Sequence, residues 1–381
     1  MSVKSILIVG GGAAGWLTAA YLAKTLATGA GGVAISLVES KEIGILGVGE
    51  GTFPSIRGTL SAIGADEAAF LKASNATFKQ GVKFAHWVRP PGAAGADHYF
   101  HPFSTPSYRG DGLELLPYWL MGDAGEVGFA QAATLQKTVA DAHRGPKRIT
   151  DPAWQGPMNY AYHFDAARFA GFLADEARAL GVTHHFATVD EVKVGEDGNI
   201  AGVVTREAGT LTADLYVDCT GFRAALIGEA LGSPFKSVSD SLFVDRALAI
   251  QAPYGDPDRP IASYTISTAH EAGWTWDIGL PERRGVGYVF SSAHTDEDRA
   301  EDVLRGYIGA ESEGLSARLL KFKVGYRETQ WIGNCVAVGL SGGFLEPLES
   351  SGIGLVETAA YLIGHLFPFD GNLAPVARQF N

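Results

Sequence analysis

Gly10-x-Gly12-x-x-Gly15 follows a short apolar run at residues 5–9 and opens a helical pattern over 15–26. In that setting the first glycine permits a tight turn and the second lets a pyrophosphate approach the backbone. The third lets helix and strand pack closely. Unpaired N–H groups at the helix start offer a partial positive charge to phosphates. Gly10, Gly12 and Gly15, with Ala13 and Ala14 between the last two, are therefore candidate dinucleotide contacts. Glu39 ends the next apolar run, 33–38, where a carboxylate can accept ribose hydroxyls and would repel the 2′-phosphate of NADP. Two later glycine turns also follow strand-like runs, Asp218-Cys219-Thr220-Gly221 and Val338-Gly339-Leu340-Ser341-Gly342-Gly343. A long cofactor lying extended across a sheet needs several such approaches, which favours FAD over NAD and adds Asp218, Gly221 and Gly339 to the candidates.

Other residue types with chemistry are less decisive alone. Lys79 and Lys83 read as two solvated lysines on one strand face, the usual fate of lysine. Trp274 and Trp276, two apart, share one face of a strand and read as core aromatics. Glu349 reads as a loop acid, and His101-Pro102-Phe103 as a packed loop. His184-His185 is adjacent and lacks the i, i+4 spacing of a helical ligand pair, so no metal site is expected.

The elements that would position these residues begin with one βαβ unit over residues 4–39, which demands a parallel sheet and a right-handed crossover. Residues 66–160, rich in aromatics, prolines and histidines, show no clean period and are expected to form walls and loops. Asp165 is a plausible N-cap for a helix that stops near Gly181. Residues 240–295 alternate as a β-sheet, 331–340 is a last apolar strand, and a helix follows over 352–367. No closing element is legible beyond it.

The composition bounds the class. The chain has 381 residues, 30 Lys plus Arg and 42 Asp plus Glu, giving a formal charge of −12. Such acidity repels phosphate backbones and argues against nucleic-acid binding. Two cysteines, Cys219 and Cys335, exclude a disulfide scaffold. Lys4 ahead of Ile6-Leu7-Ile8-Val9 imitates a leader, but Gly10, Gly11, Gly12, Gly15 and Lys24 interrupt it. With no apolar stretch of about 20 residues, no membrane span is expected, and the expected location is the cytoplasm.

Several segments together resemble the flavin-dependent tryptophan halogenases. Gly47-Val48-Gly49-Glu50-Gly51-Thr52-Phe53-Pro54 is similar to that family's flavin strap, and Phe78-Lys79 with Val82-Lys83-Phe84 and Trp87 to the segment bearing its essential lysine. Trp274-Thr275-Trp276-Asp277-Ile278 resembles its WxWxI signature. The most specific match is Gly343-Phe344-Leu345-Glu346-Pro347-Leu348-Glu349-Ser350-Ser351-Gly352-Ile353. The resemblance implies an α/β, monooxygenase-like, Rossmann-type FAD fold with an inserted β-sheet substrate region. The whole of 1–381 would be one module. Its FAD part would be discontinuous, about 1–65, 160–235 and 325–381, and its substrate part about 66–159 and 236–324.

It further implies a reaction in which reduced FAD (FADH2), supplied by a separate NADH-dependent flavin reductase, reacts with O2. Chloride or bromide is thereby converted to hypohalous acid. Lys79 would direct that oxidant to an electron-rich aromatic carbon, either by hydrogen-bonding it or as a haloamine. Glu349, taken as a buried carboxylate, would stabilise the cationic intermediate and take its proton. The resemblance assigns the halide to Ser351 and the N–H of Gly352, and the substrate ring to His101 and Phe103. Flavin contacts would include Gly47, Val48, Gly49, Glu50, Phe344 and Ile353, and Trp274 and Trp276 would shield the flavin from organic substrates.

Three departures matter. Ser351 stands where the family has threonine, which predicts a roomier halide site that admits bromide more readily, and halide competition favouring chloride would remove that reading. Gly279 stands where the signature has proline, which predicts a looser strand. Tryptophan-specific members continue into a helical segment that grips the amino acid, whereas this sequence ends at Asn381. Either the protein is natively short or this sequence lacks its C-terminal portion; in both cases it shows no residues for gripping free tryptophan, and indole or another bare aromatic is the expected substrate. Two rivals are a hydroxylating flavin monooxygenase and a non-catalytic flavoprotein. The turn Gly339-Leu340-Ser341-Gly342-Gly343 lacks the Gly-Asp pair of the first, and retention of Lys79 and Glu349 opposes the second.

Overall fold

The computed structural model describes residues 2–27, 32–44, 50–93, 97–106, 114–256 and 258–381. Its first layer is a sheet in the order Trp331–Ile332, Cys335–Ala337, Leu215–Asp218, Ser5–Val9, Ala34–Glu39, Thr183–Phe186. All its pairings are parallel except the first, an antiparallel hairpin at one edge. The expected single strand 331–340 is thus two short ones, broken at Gly333, whose φ is +53°. Ile6, Ile8 and Leu37 face one way, onto the helix Ala13–Leu26. That helix lies between two others, Ala166–Ala179 and Ser351–His365. Asp165 caps the second, accepting from the N–H groups of Ala167 and Arg168.

The second layer is a seven-stranded sheet in the order Arg318–Lys321, Arg246–Ala252, Arg284–Phe290, Gly273–Gly279, Thr265–His270, Gly81–Ala85, His98–Pro102. Leu248, Ile250, Val286 and Tyr288 pack beneath the helix Glu297–Ile308, and the opposite face carries Trp274 and Trp276. The strand bearing those tryptophans is not loosened at Gly279. That residue pairs with Arg284, its carbonyl accepts from Thr77 Oγ1 at 2.7 Å, and a Cβ there would stand 2.7 Å from Ile261.

Residues 66–160 are more regular than the sequence suggests. Helix Glu67–Ala73 is followed by strands Thr77–Lys79, Gly81–Ala85 and His98–Pro102, too short to display a period, and then by helices Leu115–Leu120, Phe129–Ala133 and Gln136–Asp141. Glu67 anchors them. Its carboxylate, 5% exposed, accepts from Lys147 Nζ at 2.7 Å, Tyr160 OH at 2.9 Å, Tyr162 OH at 2.6 Å and Trp154 N at 2.7 Å. Burial pushes its pKa up, but these four donors outweigh that and hold it below the usual value. Glu67→Ala would strand a buried ammonium and two phenols, and is expected to cost about 3–5 kcal/mol. Because the folded pKa is depressed, the contribution is present above the unfolded carboxyl pKa and is lost as pH falls through the folded value. Urea unfolding of wild type and variant at neutral and acid pH measures both the cost and its loss.

A final helix, Leu373–Phe380, which the sequence conceals behind Pro375, sets Phe380 edge-on to Trp331 at 5.5 Å. Among the described residues no helix is long and apolar enough to cross a membrane.

Candidate active site

In a parallel sheet the crevice lies beyond the carboxyl ends of the strands where their order reverses. Here that point is where Val9, Glu39 and Asp218 end. Gly10 sits there with φ +116°, and a Cβ on it would stand 2.2 Å from the Cys219 carbonyl oxygen. A Cβ on Gly15 would stand 1.8 Å from the Gly10 carbonyl oxygen, and one on Gly12 would meet nothing, projecting into open space. Gly11, not among the motif's glycines, is also required, because the Glu39 carboxylate folds over it and would lie 1.6 Å from a Cβ. His184 Nε2 stands 2.9 Å from Glu39 Oε1. Burial raises the Glu39 pKa, opposed by the Trp16 N–H and by Arg178.

A cavity of about 560 Å³ runs from this turn to the tryptophan pair, within the range of cofactor sites. Gly10, Gly12, Ala13, Ala14 and Glu39 line it, as do Gly221, Gly339, Phe344 and Ile353. Gly221 and Gly339 have φ of +71° and +74°, which lets their turns close on the cavity without a Cβ. Asp218 is a correction. Its fully buried carboxylate is absent from the lining and is occupied by Thr220 N and Oγ1 on one oxygen and by Leu226 N and Ile227 N on the other. Gly47, Val48 and Gly49 lie outside the described residues. Glu50 pairs its backbone with Phe164, and Gly51 reaches the cavity.

Trp274 and Trp276 line the far end with ring centroids 6.5 Å apart. Trp276 lies flat on Gly287, where a Cβ would stand 2.1 Å from the ring. Glu346 lines this end too, its pKa raised by burial against the pull of the Trp274 N–H. Ser351 and Gly352 are the first two residues of the helix Ser351–His365, and both line the cavity.

Ser350 precedes that helix with φ +57°, an uncommon state for serine. The turn places its Oγ 3.0 Å from Lys79 Nζ. Lys79 ends the strand Thr77–Lys79 and is completely buried; Lys83 lies on a different strand and is part-exposed, so the two do not share a solvated face. Burial drives the Lys79 pKa down to about 7, with Glu349 pulling it upward. Phe53 and Phe103 flank the ammonium, their centroids 5.9 and 5.4 Å from Nζ. Lys79 itself does not line the flavin-sized cavity, but Gly51 and Ser350 do, and Gly51 lies against Nζ, which a Cβ there would approach to 3.1 Å.

Glu349 is less buried than expected, its side chain 41% exposed, with His101 Nδ1 3.4 Å from Oε1. The hydrogen bond from His101 holds the Glu349 pKa below its usual value, and the same bond raises that of His101. The result is a dry lysine behind one end of the cavity, with an exposed carboxylate–imidazole pair beside it. No cluster of potential metal ligands occurs among the described residues.

The tryptophan halogenase family model matches residues 5–381. The chain belongs to the tryptophan halogenase family. It is 40% identical over 384 residues to the tryptophan 6-halogenase SttH of Streptomyces toxytricini, covering 95% of this chain and 72% of that protein. The crystal structure of a tryptophan halogenase from Shewanella frigidimarina superposes with TM-score 0.94 at 41% identity, covering 100% of this chain and 74% of that one. BrvH, a flavin-dependent halogenase from Brevundimonas sp. BAL3, superposes with TM-score 0.88 at 35% identity, covering 100% of this chain and 75% of that one.

As a flavin-dependent halogenase the chain implies FAD, and its residues fit one. The Gly12 position opens into the cavity, helix-start N–H groups meet it, and its length reaches the tryptophans. Gly12→Val fills the space where the pyrophosphate must approach, so FAD affinity of this halogenase is expected to fall about a hundredfold or more. Fluorescence titration with FAD, alongside an unchanged melting curve without it, checks this.

Proposed function

We propose that this halogenase uses FADH2, O2 and chloride or bromide to make hypohalous acid, and that Lys79 delivers the halogen to an indole-like aromatic. The observation that carries the proposal is the burial of Lys79 behind the cavity wall, beside Ser350 and between Phe53 and Phe103. Bound FADH2 would supply two of the four electrons that reduce O2, and the halide, oxidised to hypohalous acid, would supply the other two. The protein's own contribution begins with anion binding by Ser351 and the N–H of Gly352, two residues at a helix start that line the cavity. Trp274 and Trp276 close that chamber against organic molecules. Across the wall, the depressed pKa lets Lys79 serve near neutral pH as a hydrogen-bond donor or as a free amine. His101 and Phe103 would hold the aromatic ring, and Glu349 would take the proton released when halogen replaces hydrogen. An exposed Glu349–His101 pair supports an open aromatic site, and so a bare indole over an amino acid held by its charges. A separate NADH-dependent flavin reductase supplies the reduced cofactor.

Mass spectrometry of indole and of tryptophan incubated with the protein, FAD, a flavin reductase, NADH and bromide tests this. A bromine isotope doublet on indole is expected. An oxygenated product without halogen would replace the reading with a monooxygenase.

A further inference from the structure

Glu357 has no part in the chemistry above, yet it is a buried acid, only 7% exposed. Its Oε2 accepts from Ser55 Oγ at 3.0 Å and its Oε1 from Thr59 Oγ1 at 2.5 Å. The two donors stand one turn apart on the helix Ser55–Ile63, while Glu357 lies on the helix Ser351–His365. Burial raises the Glu357 pKa, and the Thr59 and Ser55 hydroxyls oppose that rise. A buried acid is a costly way to join two helices. What it adds over an apolar contact is a fixed register between them.

The join lies next to the partition in front of Lys79. Gly51 lines the cavity, and a Cβ on it would stand 2.9 Å from Ser350 Oγ and 3.1 Å from Lys79 Nζ. The ring of Phe53 flanks that ammonium at 5.9 Å, and a Cβ on Gly354 would stand 3.7 Å from the same ring. Two residues later the Ser55 helix begins, and with it the bonds to Glu357. Residues 51–59 thus pass Ser350, Gly354 and Glu357 in order along the helix that starts with Ser351 and Gly352. Their other side is tied to the strand Ala161–Phe164. Gly51 is in register with the buried His163, and Thr52 N and Oγ1 both donate to the Tyr162 carbonyl, at 3.1 and 2.9 Å.

We propose that Glu357 is a positioning residue: by clasping Ser55 and Thr59 it holds Gly51 and Phe53 against the start of the Ser351 helix and keeps the partition closed around Lys79. The geometry stands alone, but its consequence for turnover rests on the halogenase reading of Lys79. With the clasp made, hypohalous acid leaving the chamber meets the amine among fixed neighbours. With it broken, residues 51–54 are released at one end, water reaches Lys79, and oxidant escapes to solvent. Glu357 is not among the residues lining the cavity, so its loss shows as leakage and not as a failure to oxidise halide.

Two measurements test the clasp. Amine labelling with acetic anhydride, read by peptide mass spectrometry without flavin or halide, compares Lys79 with Lys147 in wild type, Glu357→Leu and Glu357→Gln. Lys147, its side chain 9% exposed and paired with Glu67, reports general loosening. In Glu357→Leu the labelling rate of Lys79 is expected to rise about tenfold relative to Lys147. Glutamine can accept from one hydroxyl and donate to the other, so Glu357→Gln is expected to restore most of the protection. Thr59→Val removes one donor from the opposite helix and should also expose Lys79, and adding Glu357→Leu to it should change little more. Equal rises at both lysines, or an unchanged Lys79, overturn the clasp. Separately, halogenated indole per total hypohalous acid, counted as product plus trapped oxidant, is expected to fall about tenfold in Glu357→Leu. A ratio equal to that of wild type overturns the delivery role. If wild type yields no halogenated product while Lys79 still becomes selectively exposed in Glu357→Leu, the halogenase reading fails and the clasp stands.

Discussion

Lys79→Met is expected to lower halogenation of indole by about 10²–10⁴-fold while leaving FAD affinity and hypohalous acid formation intact. The separation follows from the wall. The residues lining the cavity form one chamber, whereas Lys79 stands behind Gly51 and Ser350 and lines no part of it. Methionine matches the lysine stem in length and leaves the contacts with Phe53 and Phe103 apolar. The variant should also be more stable than wild type. A lysine whose folded pKa is driven down to about 7 opposes folding most below that pH, where it is charged in both states. The penalty fades as pH rises toward the unfolded lysine pKa, so the gain in melting temperature should be largest in mild acid and vanish in strong alkali. A variant that is sturdier but inactive marks a group kept in a costly state for chemistry. Product mass spectrometry, a dye trap for free hypohalite and melts across pH read the three effects separately. A less stable Lys79→Met would remove the argument that burial alone depresses the lysine.

What could be read from the sequence was whatever depends on a few neighbouring residues. Gly10, Gly12 and Gly15 announce themselves because each answers a local steric demand, and the structure shows those demands as blocked or open Cβ positions. Asp218 misled for the same reason. An acid at a strand end before a glycine turn looks the same whether it meets a ribose or closes on the N–H groups of Leu226 and Ile227. Ser350 and Ser351 are chemically identical in the sequence. Only the left-handed turn at Ser350 sends its hydroxyl to Lys79 and leaves Ser351 at the helix start, lining the cavity. His163 lies in an apolar run, and its sheet neighbours come from strands of two and three residues, Glu50–Gly51 and Thr77–Lys79, too short to carry a period. The signal that was present was polar: a histidine in Tyr160-Ala161-Tyr162-His163-Phe164, otherwise suited to a buried strand, needs a partner.

Glu349→Gln is the second large effect, expected to lower halogenation about 10²–10³-fold with little change in stability. The carboxylate is 41% exposed and its bond to His101 is long, 3.4 Å, so removing its charge leaves no buried group unsatisfied. Its influence is exerted on charge states. Glu349 supports the cation at Lys79 and raises the His101 pKa, so a neutral amide should move both titrations downward together. The pH–rate limb belonging to Lys79 should then shift to lower pH, while the maximum rate drops for lack of a proton acceptor beside the ring. A residue that only positioned His101 would behave differently: glutamine would keep the hydrogen bond, and most of the rate would survive without a moved limb. Product yield across pH for wild type, Glu349→Gln and Glu349→Asp separates the two. Aspartate keeps the charge and shortens the reach, so the limb should stay in place even where the rate falls. Loss of rate with no displacement of the limb in glutamine would break the proposed link between Glu349 and Lys79.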